Sequence, residues 1–243
     1  SISDYNQLKS FAPDVIITLG GDGTILSAIT LIKDLEIPIM GINLGRLGFL
    51  ASIEQERIAT AINKLISGDY GISKRSMIRM NSTPDIFGDD GFALNDFTLV
   101  KRDNSAMVVI HVFIDNNFLN SYWADGLIIS TPTGSTGYSL SCGGPIIFPS
   151  TENFILTPVA PHNLNVRPIV ISGDNKISIQ IEGRSENYLC TLDSRNATVT
   201  SYINIQIEKN NFHTNIITLE GDNFMKTIRN KLNWGMDRRN YEN

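Results

Sequence analysis

The sequence predicts an α/β N-terminal region followed by a larger β-rich region, and three observations predict it. Short apolar runs alternate with helix-periodic segments up to about residue 70. From about residue 72 to 220 the apolar residues recur with period two, and helical spacing then returns in the tail. The run from Asp14 to Leu19 is short, apolar and ends at two glycines, as suits a strand buried on both faces of a parallel sheet. Ile25, Ala28, Ile29 and Ile32 then recur at helical spacing, so a helix is expected from about Thr24 to Leu35. Ile37 to Ile42 reads as a second buried strand. Ser52-Ile53-Glu54-Gln55 has the pattern of a capping box, with Ile58, Ala61, Ile62, Leu65 and Ile66 as the buried stripe and Gly68 as the stop. Strand and helix alternate there, which is the α/β signature.

Beyond residue 72, Met107 to Ile114 alternates, Asp115-Asn116-Asn117 is a turn, and Phe118 to Trp123 resumes the alternation. Ile177, Ile179 and Ile181 share one strand face, as do Ile203, Ile205 and Ile207. Met225, Ile228 and Leu232 give a helix from Asn223 to Trp234. The chain therefore divides into 1–72, 73–220 and 221–243.

Composition excludes several classes. The 243 residues suffice for a real core, and their Ile, Leu, Val and Phe exclude disorder. No apolar run reaches the roughly 18 residues of a membrane helix, and no signal segment opens the chain. The net charge is −5, and the densest basic group is only Lys226, Arg229, Lys231, Arg238 and Arg239. Neither nucleic acid nor membrane is an expected partner. Cys142 and Cys190 form neither a disulfide framework nor a C-x-x-C pair, which points to a reducing cytoplasm. The chain begins at Ser1 rather than Met, so further N-terminal sequence is expected.

Three segments carry chemistry. Gly20-Gly21-Asp22-Gly23-Thr24 follows a strand and opens a helix, where glycines allow close approach and helix N–H groups face an anion. It has no P-loop ending and no third glycine at the dinucleotide spacing. An acid there repels phosphate unless it does chemistry or holds a metal; the alternative is a plain strand–helix turn with Asp22 near the cap. The stretch Thr131-Pro132-Thr133-Gly134-Ser135-Thr136-Gly137-Tyr138-Ser139-Leu140-Ser141 holds six Ser/Thr hydroxyls and two glycines. These can bond ribose, amide and phosphate oxygens without net charge, or form an ordinary surface loop. Asn95-Asp96 interrupts an expected strand from Ala93 to Val100, either at a bend or to reach a ligand. His111 and His213 read as strand residues, whereas His162 lies in a Pro-rich loop able to line a pocket.

Taken together, these segments resemble the NAD kinase family. The resemblance rests on Gly20 to Thr24, on Gly41-Ile42-Asn43-Leu44-Gly45-Arg46-Leu47-Gly48-Phe49-Leu50, on Asn95-Asp96, and on Asp125 to Pro145. Thr157 to Leu164 and Val166-Arg167-Pro168 also match, so it runs from about Asp14 to the end. The glycine motif alone is shared with diacylglycerol and sphingosine kinases and related to that of phosphofructokinases; the hydroxyl-rich loop after it is specific. The resemblance implies transfer of the γ-phosphate of ATP to the adenosine-ribose 2′-hydroxyl of NAD, giving NADP. It implies a phosphofructokinase-like α/β domain, a β-rich domain, and a C-terminal helix returning to the first.

By position, the resemblance makes Asp22 the general base and places Gly23 at the NAD phosphates. Gly20, Gly21, Gly23 and Thr24 would serve the phosphates, with Mg²⁺ or another divalent cation accompanying ATP. Asn95 and Asp96 would bind adenine and the nicotinamide-side ribose, and Asp125 the nicotinamide end. Thr136, Gly137, Tyr138 and Ser141 would line the adenosine and carboxamide pocket, and Ala160 would touch the ligand through its backbone. Such enzymes assemble as homodimers or homotetramers. Three positions depart from the pattern or lack an assigned contact. Trp123 stands where many relatives carry Arg or another polar residue, Asp193-Ser194-Arg195 stands where Asp-Gly is common, and His162 has no assigned partner. A non-catalytic NAD(P)-binding protein and a lipid kinase of the diacylglycerol-kinase type are the competing readings.

Overall fold

The structure, a computed structural model, describes residues 4–45, 48–102, 107–183 and 187–234. Arg46 and Leu47 of the Gly41–Leu50 segment lie outside the described residues, as do Arg238 and Arg239 of the basic group. The chain forms two compact units, Ser1–Lys74 with Thr214–Asn243, and Arg75–His213.

The first unit opens with α1 (Tyr5–Phe11), whose N-terminus is capped by the Asp4 side chain accepting from the Gln7 N–H. Next come β1 (Ile16–Leu19) and α2 (Asp22–Ile32), which buries Ile25, Ile29 and Ile32. β2 (Ile39–Ile42) runs parallel to β1 and is buried throughout. β1 is not buried on both faces: it is the edge strand of its sheet, and Ile17 and Leu19 are exposed. The expected capping box at Ser52 does not form. Ile53 makes a parallel bridge to Ile42, which holds this stretch extended, and a 3₁₀ turn (Gln55–Arg57) leads instead into α3 (Ile58–Ser67). Gly68 ends α3 in the left-handed region (φ 75°). Ala61 is buried, but Ile66, expected in the stripe, is exposed. β3 (Gly71–Arg75) follows.

The second unit is a pair of antiparallel sheets. Its elements in chain order are β4 (Ile78–Thr83), β5 (Phe92–Ala93), β6 (Asp96–Lys101), β7 (Val108–Ile114) and β8 (Asn117–Ala124). They continue as β9 (Gly126–Ser130), α4 (Tyr138–Ser141), β10 (Asn153–Val159) and β11 (Ile169–Ser172). The last are β12 (Ile177–Glu182), β13 (Tyr188–Leu192), β14 (Arg195–Val199) and β15 (Asn204–Lys209). One sheet has the order β5-β4-β15-β12-β7-β8, the other β11-β10-β9-β6-β13-β14. Alternation places Val108, Ile110, Val112, Ile177 and Ile179 of one sheet in the same core cluster as Phe97, Leu99, Leu127 and Ile129 of the other. The β7–β8 turn uses Asp115 and Asn116 at φ 50° and 66°, which suits the right-handed twist of the strands it joins.

At two places a very short link carries the chain from one sheet to the other. Leu94 and Asn95 separate β5 from β6, so the stretch expected as one strand from Ala93 to Val100 is two strands in different sheets. Asp125 separates β8 from β9 in the same way.

β16 (Thr214–Thr218) returns to the first unit and lies between β2 and β3, giving the order β1-β2-β16-β3. A division at residue 220 would have placed this strand with the β-rich region, because its period-two pattern is indistinguishable from the strands before it. Ile217 and Leu219 join Met40, Ile42, Ile53 and Ala61 in the core of the first unit. α5 (Phe224–Leu232) closes the described chain, with Asn223 accepting from the Lys226 N–H at 2.8 Å. Its Ile228 is buried, but Met225, expected on the same stripe, is exposed. Among the described residues no helix is long and apolar enough to cross a membrane.

Candidate active site

The glycine turn lies between β1 and α2 in the first unit. Gly20 adopts φ 153°, and a Cβ added there would collide with the Thr24 hydroxyl, so both backbone and space require glycine. Gly21 is the N-cap of α2, and a Cβ on Gly21 or Gly23 would meet nothing within 4 Å. Asp22 is the first helical residue, not the cap. Its carboxylate accepts three backbone N–H groups: Phe49 on Oδ2 at 2.8 Å, and Leu50 and Ala51 on Oδ1 at 3.1 and 2.9 Å. A Cβ at Gly48 would strike this carboxylate, so the Gly48-Phe49-Leu50 segment and the acid are fitted to each other.

In the second unit the sheet crossing at Leu94 and Asn95 is gripped by the turn between β13 and β14. Asp193, at φ 52°, accepts the Leu94 N–H at 2.9 Å on one carboxylate oxygen. Its other oxygen accepts the Asn95 and Asp96 N–H groups at 2.8 and 3.3 Å. The Asp193 N–H donates back to the Asp96 carbonyl at 3.1 Å. Two residues on, the Arg195 guanidinium donates to the Asp90 and Phe92 carbonyls and lies 4.9 Å over the Phe92 ring. Asp96 is buried, at 7% exposure. Loss of water, with the Asp193 charge second, pushes its carboxyl up to about 7.

The hydroxyl-rich loop rests on this crossing. Thr131 Oγ1 donates to the Leu94 carbonyl at 2.5 Å and accepts the Gly134 N–H at 3.1 Å, while the Thr131 N–H reaches the Asn95 carbonyl at 2.9 Å. A Cβ on Gly134 would drive into the Asn95 backbone. Ser135 bonds the Pro132 carbonyl and the Ile147 N–H, and Ser139 pairs with Thr157 at 2.7 Å. Thr131, Thr133, Ser135 and Ser139 are thus buried scaffold, whereas Gly137, Tyr138 and Ser141 are exposed and Thr136 is half-buried. Thr136 Oγ1 donates to the Thr133 carbonyl at 3.2 Å.

At the other crossing, Asp125 pairs with Lys101 at 2.7 Å, and its N–H bonds the Val159 carbonyl at 2.9 Å. The His162 N–H bonds the Trp123 carbonyl at 2.8 Å, and Ala160 between them has φ 44°. Trp123, Asp125, Ala160 and His162 therefore share one corner, with Trp123 54% exposed. Burial first, then the Cys142 thiol and the carboxylates of Asp96 and Asp125, push the Tyr138 phenol up.

His111 sits in β7 bonding Ser121 and Glu182, as a strand residue, while His213 lies just before β16 rather than in a strand. Sequence reasoning missed Lys101 and the grip of Asp193 on residues 94–96, whose partners are distant in the chain. An acid at the tip of a tight hairpin was the only local signal.

Both parts of the chain match family models: residues 2–70 the ATP-NAD kinase N-terminal domain, and residues 94–219 the ATP-NAD kinase C-terminal domain. An NAD kinase of Cytophaga hutchinsonii is 53% identical over 235 residues, covering 97% of this chain and 80% of that protein. One from Bacteroides fragilis is 41% identical over 236 residues, covering 97% and 81%. Among solved structures, yeast NADH kinase complexed with NADH matches with a TM-score of 0.84 at 25% identity, over 92% of this chain and 68% of that one. An NAD kinase from Archaeoglobus fulgidus in complex with ATP matches with a TM-score of 0.79 at 28% identity, over 96% and 86%.

Proposed function

The chain belongs to the NAD kinase family and is an ATP-dependent enzyme that makes NADP from NAD; from that premise we propose how its residues divide the work. Asp22 accepts the proton of the adenosine-ribose 2′-hydroxyl as that oxygen takes the γ-phosphoryl group of ATP. A ribose hydroxyl is a poor nucleophile, so a positioned base is worth about 10²- to 10⁴-fold. The observation that carries this role is the setting of Asp22: an acid on the first turn of α2, aligned through both oxygens by the N–H groups of Phe49, Leu50 and Ala51. Gly20, Gly21, Gly23 and Thr24 present the start of that helix to phosphate, where its N–H groups and dipole favour negative charge.

NAD is held by Asn95 and Asp96 at one sheet crossing and Asp125 at the other, with Thr136, Gly137, Tyr138 and Ser141 along the loop and the Ala160 backbone beside Asp125. The open Tyr138 ring offers a stacking face. The corner shared by Trp123 and His162 with Asp125 supports a place for both at the nicotinamide end. Arg195 is assigned no ligand contact, because its guanidinium is taken up by two backbone carbonyls.

Among the described residues no group of three or more His, Cys, Asp or Glu is placed to hold a metal. Mg²⁺ would enter as part of the Mg–ATP complex, with its phosphates held at the start of α2 by Gly20, Gly21, Gly23 and Thr24. When bound, it would supply charge neutralisation at the phosphates. Cytoplasmic location and assembly as a homodimer or homotetramer belong to the same reading.

The test is purified protein with ATP, Mg²⁺ and NAD, reading NADP with an NADP-specific dehydrogenase. NADP formation abolished by Asp22→Asn supports the assignment. Near-normal turnover in that variant removes Asp22 from the role.

A further inference from the structure

We infer that Asp193 and Arg195, at the β13–β14 turn, are positioning residues for dinucleotide binding, Asp193 acting through the backbone of Leu94, Asn95 and Asp96 and Arg195 by tying that turn to the Asp90 and Phe92 carbonyls, rather than by touching the ligand. The inference rests on the reading that Asn95 and Asp96 contact NAD. A crossing between two sheets has no ladder partner to fix its backbone, so its N–H and C=O groups must be satisfied elsewhere. Here one turn satisfies all three N–H groups. Asp193 takes the N–H groups of Leu94, Asn95 and Asp96 and gives its own N–H to the Asp96 carbonyl, while Arg195 ties the same turn to the carbonyls of Asp90 and Phe92 just before the crossing; the Leu94 and Asn95 carbonyls are taken by Thr131. Asp193 lies nearly a hundred residues away in sequence, so this grip serves no local turn of its own.

The division of labour is visible in the side chains. The backbone of 94–96 is fully engaged, yet among the described residues the Asn95 amide and the Asp96 carboxyl have no hydrogen-bond partner. A buried carboxyl without a partner is costly, and here the cost is increased by setting a second carboxylate beside it. Such an arrangement makes sense where a ligand supplies the missing donors, and ribose hydroxyls are donors of that kind. The groups facing Asp96 are Asp193 from the hairpin turn and Tyr138 from α4; Arg195 in turn acts on Asp193, and Asp125 on Tyr138. The ionised Asp96 carboxylate offers both oxygens as acceptors to two hydroxyls, whereas protonation turns one of them into a donor. NAD binding therefore strengthens with rising pH around 7, and the Asp193 charge helps set where that limb falls.

The experiment is steady-state kinetics of Asp193→Asn and Arg195→Lys against wild type, with KM for NAD and for ATP measured from pH 5.5 to 8.5 (roughly the span over which a carboxyl raised to near neutrality titrates). Asp193→Asn removes the charge and one acceptor. The expected result is a KM for NAD raised about 10- to 100-fold, the scale of an ångström-sized misplacement, with KM for ATP unchanged. The pH limb moves to the acid side. Arg195→Lys keeps the charge but loses the fork, so it should raise KM for NAD and leave the limb in place. If Asp193→Asn does not fold, Arg195→Lys carries the test alone. An unchanged KM for NAD in either variant overturns the inference. So does a loss shared equally by kcat and both KM values with an unmoved limb in Asp193→Asn, since that is what mere loosening of the fold would produce. Asp96→Asn is the control: if it leaves KM for NAD and the limb untouched, the dinucleotide assignment itself fails, whatever the two turn variants do.

Discussion

A methyl group on Gly20 would run into Thr24, whereas one on Gly23 would project into open space. The two glycines of one motif therefore answer to different demands. Glycine in a helix costs about 1 kcal/mol relative to alanine, and nothing within the chain requires that cost at Gly23. Gly23→Ala should raise the melting temperature slightly while cutting NADP formation at least about tenfold, since the added methyl enters the space left for phosphate. Gly20→Ala should lower the melting temperature by several degrees, corresponding to about 1–3 kcal/mol of backbone strain and collision. Calorimetry and the coupled assay on the same preparations separate these outcomes. Asp22→Asn should stay folded and lose about 10²- to 10⁴-fold in turnover. It keeps one acceptor for the N–H groups of Leu50 and Ala51 but not for Phe49, so its melting temperature should fall by a few degrees at most. The acid in the motif was legible in the sequence. Its three N–H partners were not, because they lie 27 to 29 positions away across β2.

At the scale of elements, the strand and helix periods identified β2, β7, β12 and α2 because each buries one face or both in a continuous core. They failed where another constraint governs. The four-residue pattern at Ser52 was overridden by strand pairing of Ile53, and Ile66 and Met225 carried helical spacing onto faces that no described element covers. Asn95-Asp96 posed a choice between a bend and a ligand contact. The chain does bend there, and among the described residues neither side chain has a hydrogen-bond partner. In the hydroxyl-rich loop, composition announced a functional segment but not which hydroxyls are spent internally. Thr131 is spent on the crossing, Ser135 and Ser139 on Ile147 and Thr157, and Thr136 on Thr133 within the loop, and this is decided largely by tertiary partners. Gly134→Ala should be among the most disruptive single changes in this loop, because its methyl would meet the Asn95 backbone and not a movable side chain. A loss of about 1–3 kcal/mol in denaturant unfolding, together with a raised KM for NAD, is the expected outcome.

For the whole molecule, the raised carboxyl of Asp96 makes stability depend on pH. The folded chain holds that proton up to about 7, against an ordinary value of 3.8. Between those values the native state binds a proton that the unfolded state has released, so stability falls as pH rises through the window. Asp96→Asn removes this term. The variant should therefore be more stable than wild type at pH 8, by on the order of 2 kcal/mol, with the difference shrinking toward pH 4. Urea denaturation at the two pH values measures it; a variant less stable at both would show that the carboxylate contributes more to the fold than it costs. The same chain would then be firmer and a poorer enzyme, which is the usual relation between strain and function.

The placement of β16 governs when the molecule can be finished. The strand that fills the gap between β2 and β3 is made only after all of Arg75–His213 has been synthesised. On the ribosome, the N-terminal half-sheet must therefore wait with an open seam while the sandwich downstream has every strand it needs. Ribosome stalling or premature termination anywhere before Thr214 would release a chain whose β2 edge is a bare template for another nascent chain, so this gene product should lean on holdase chaperones more than its size suggests.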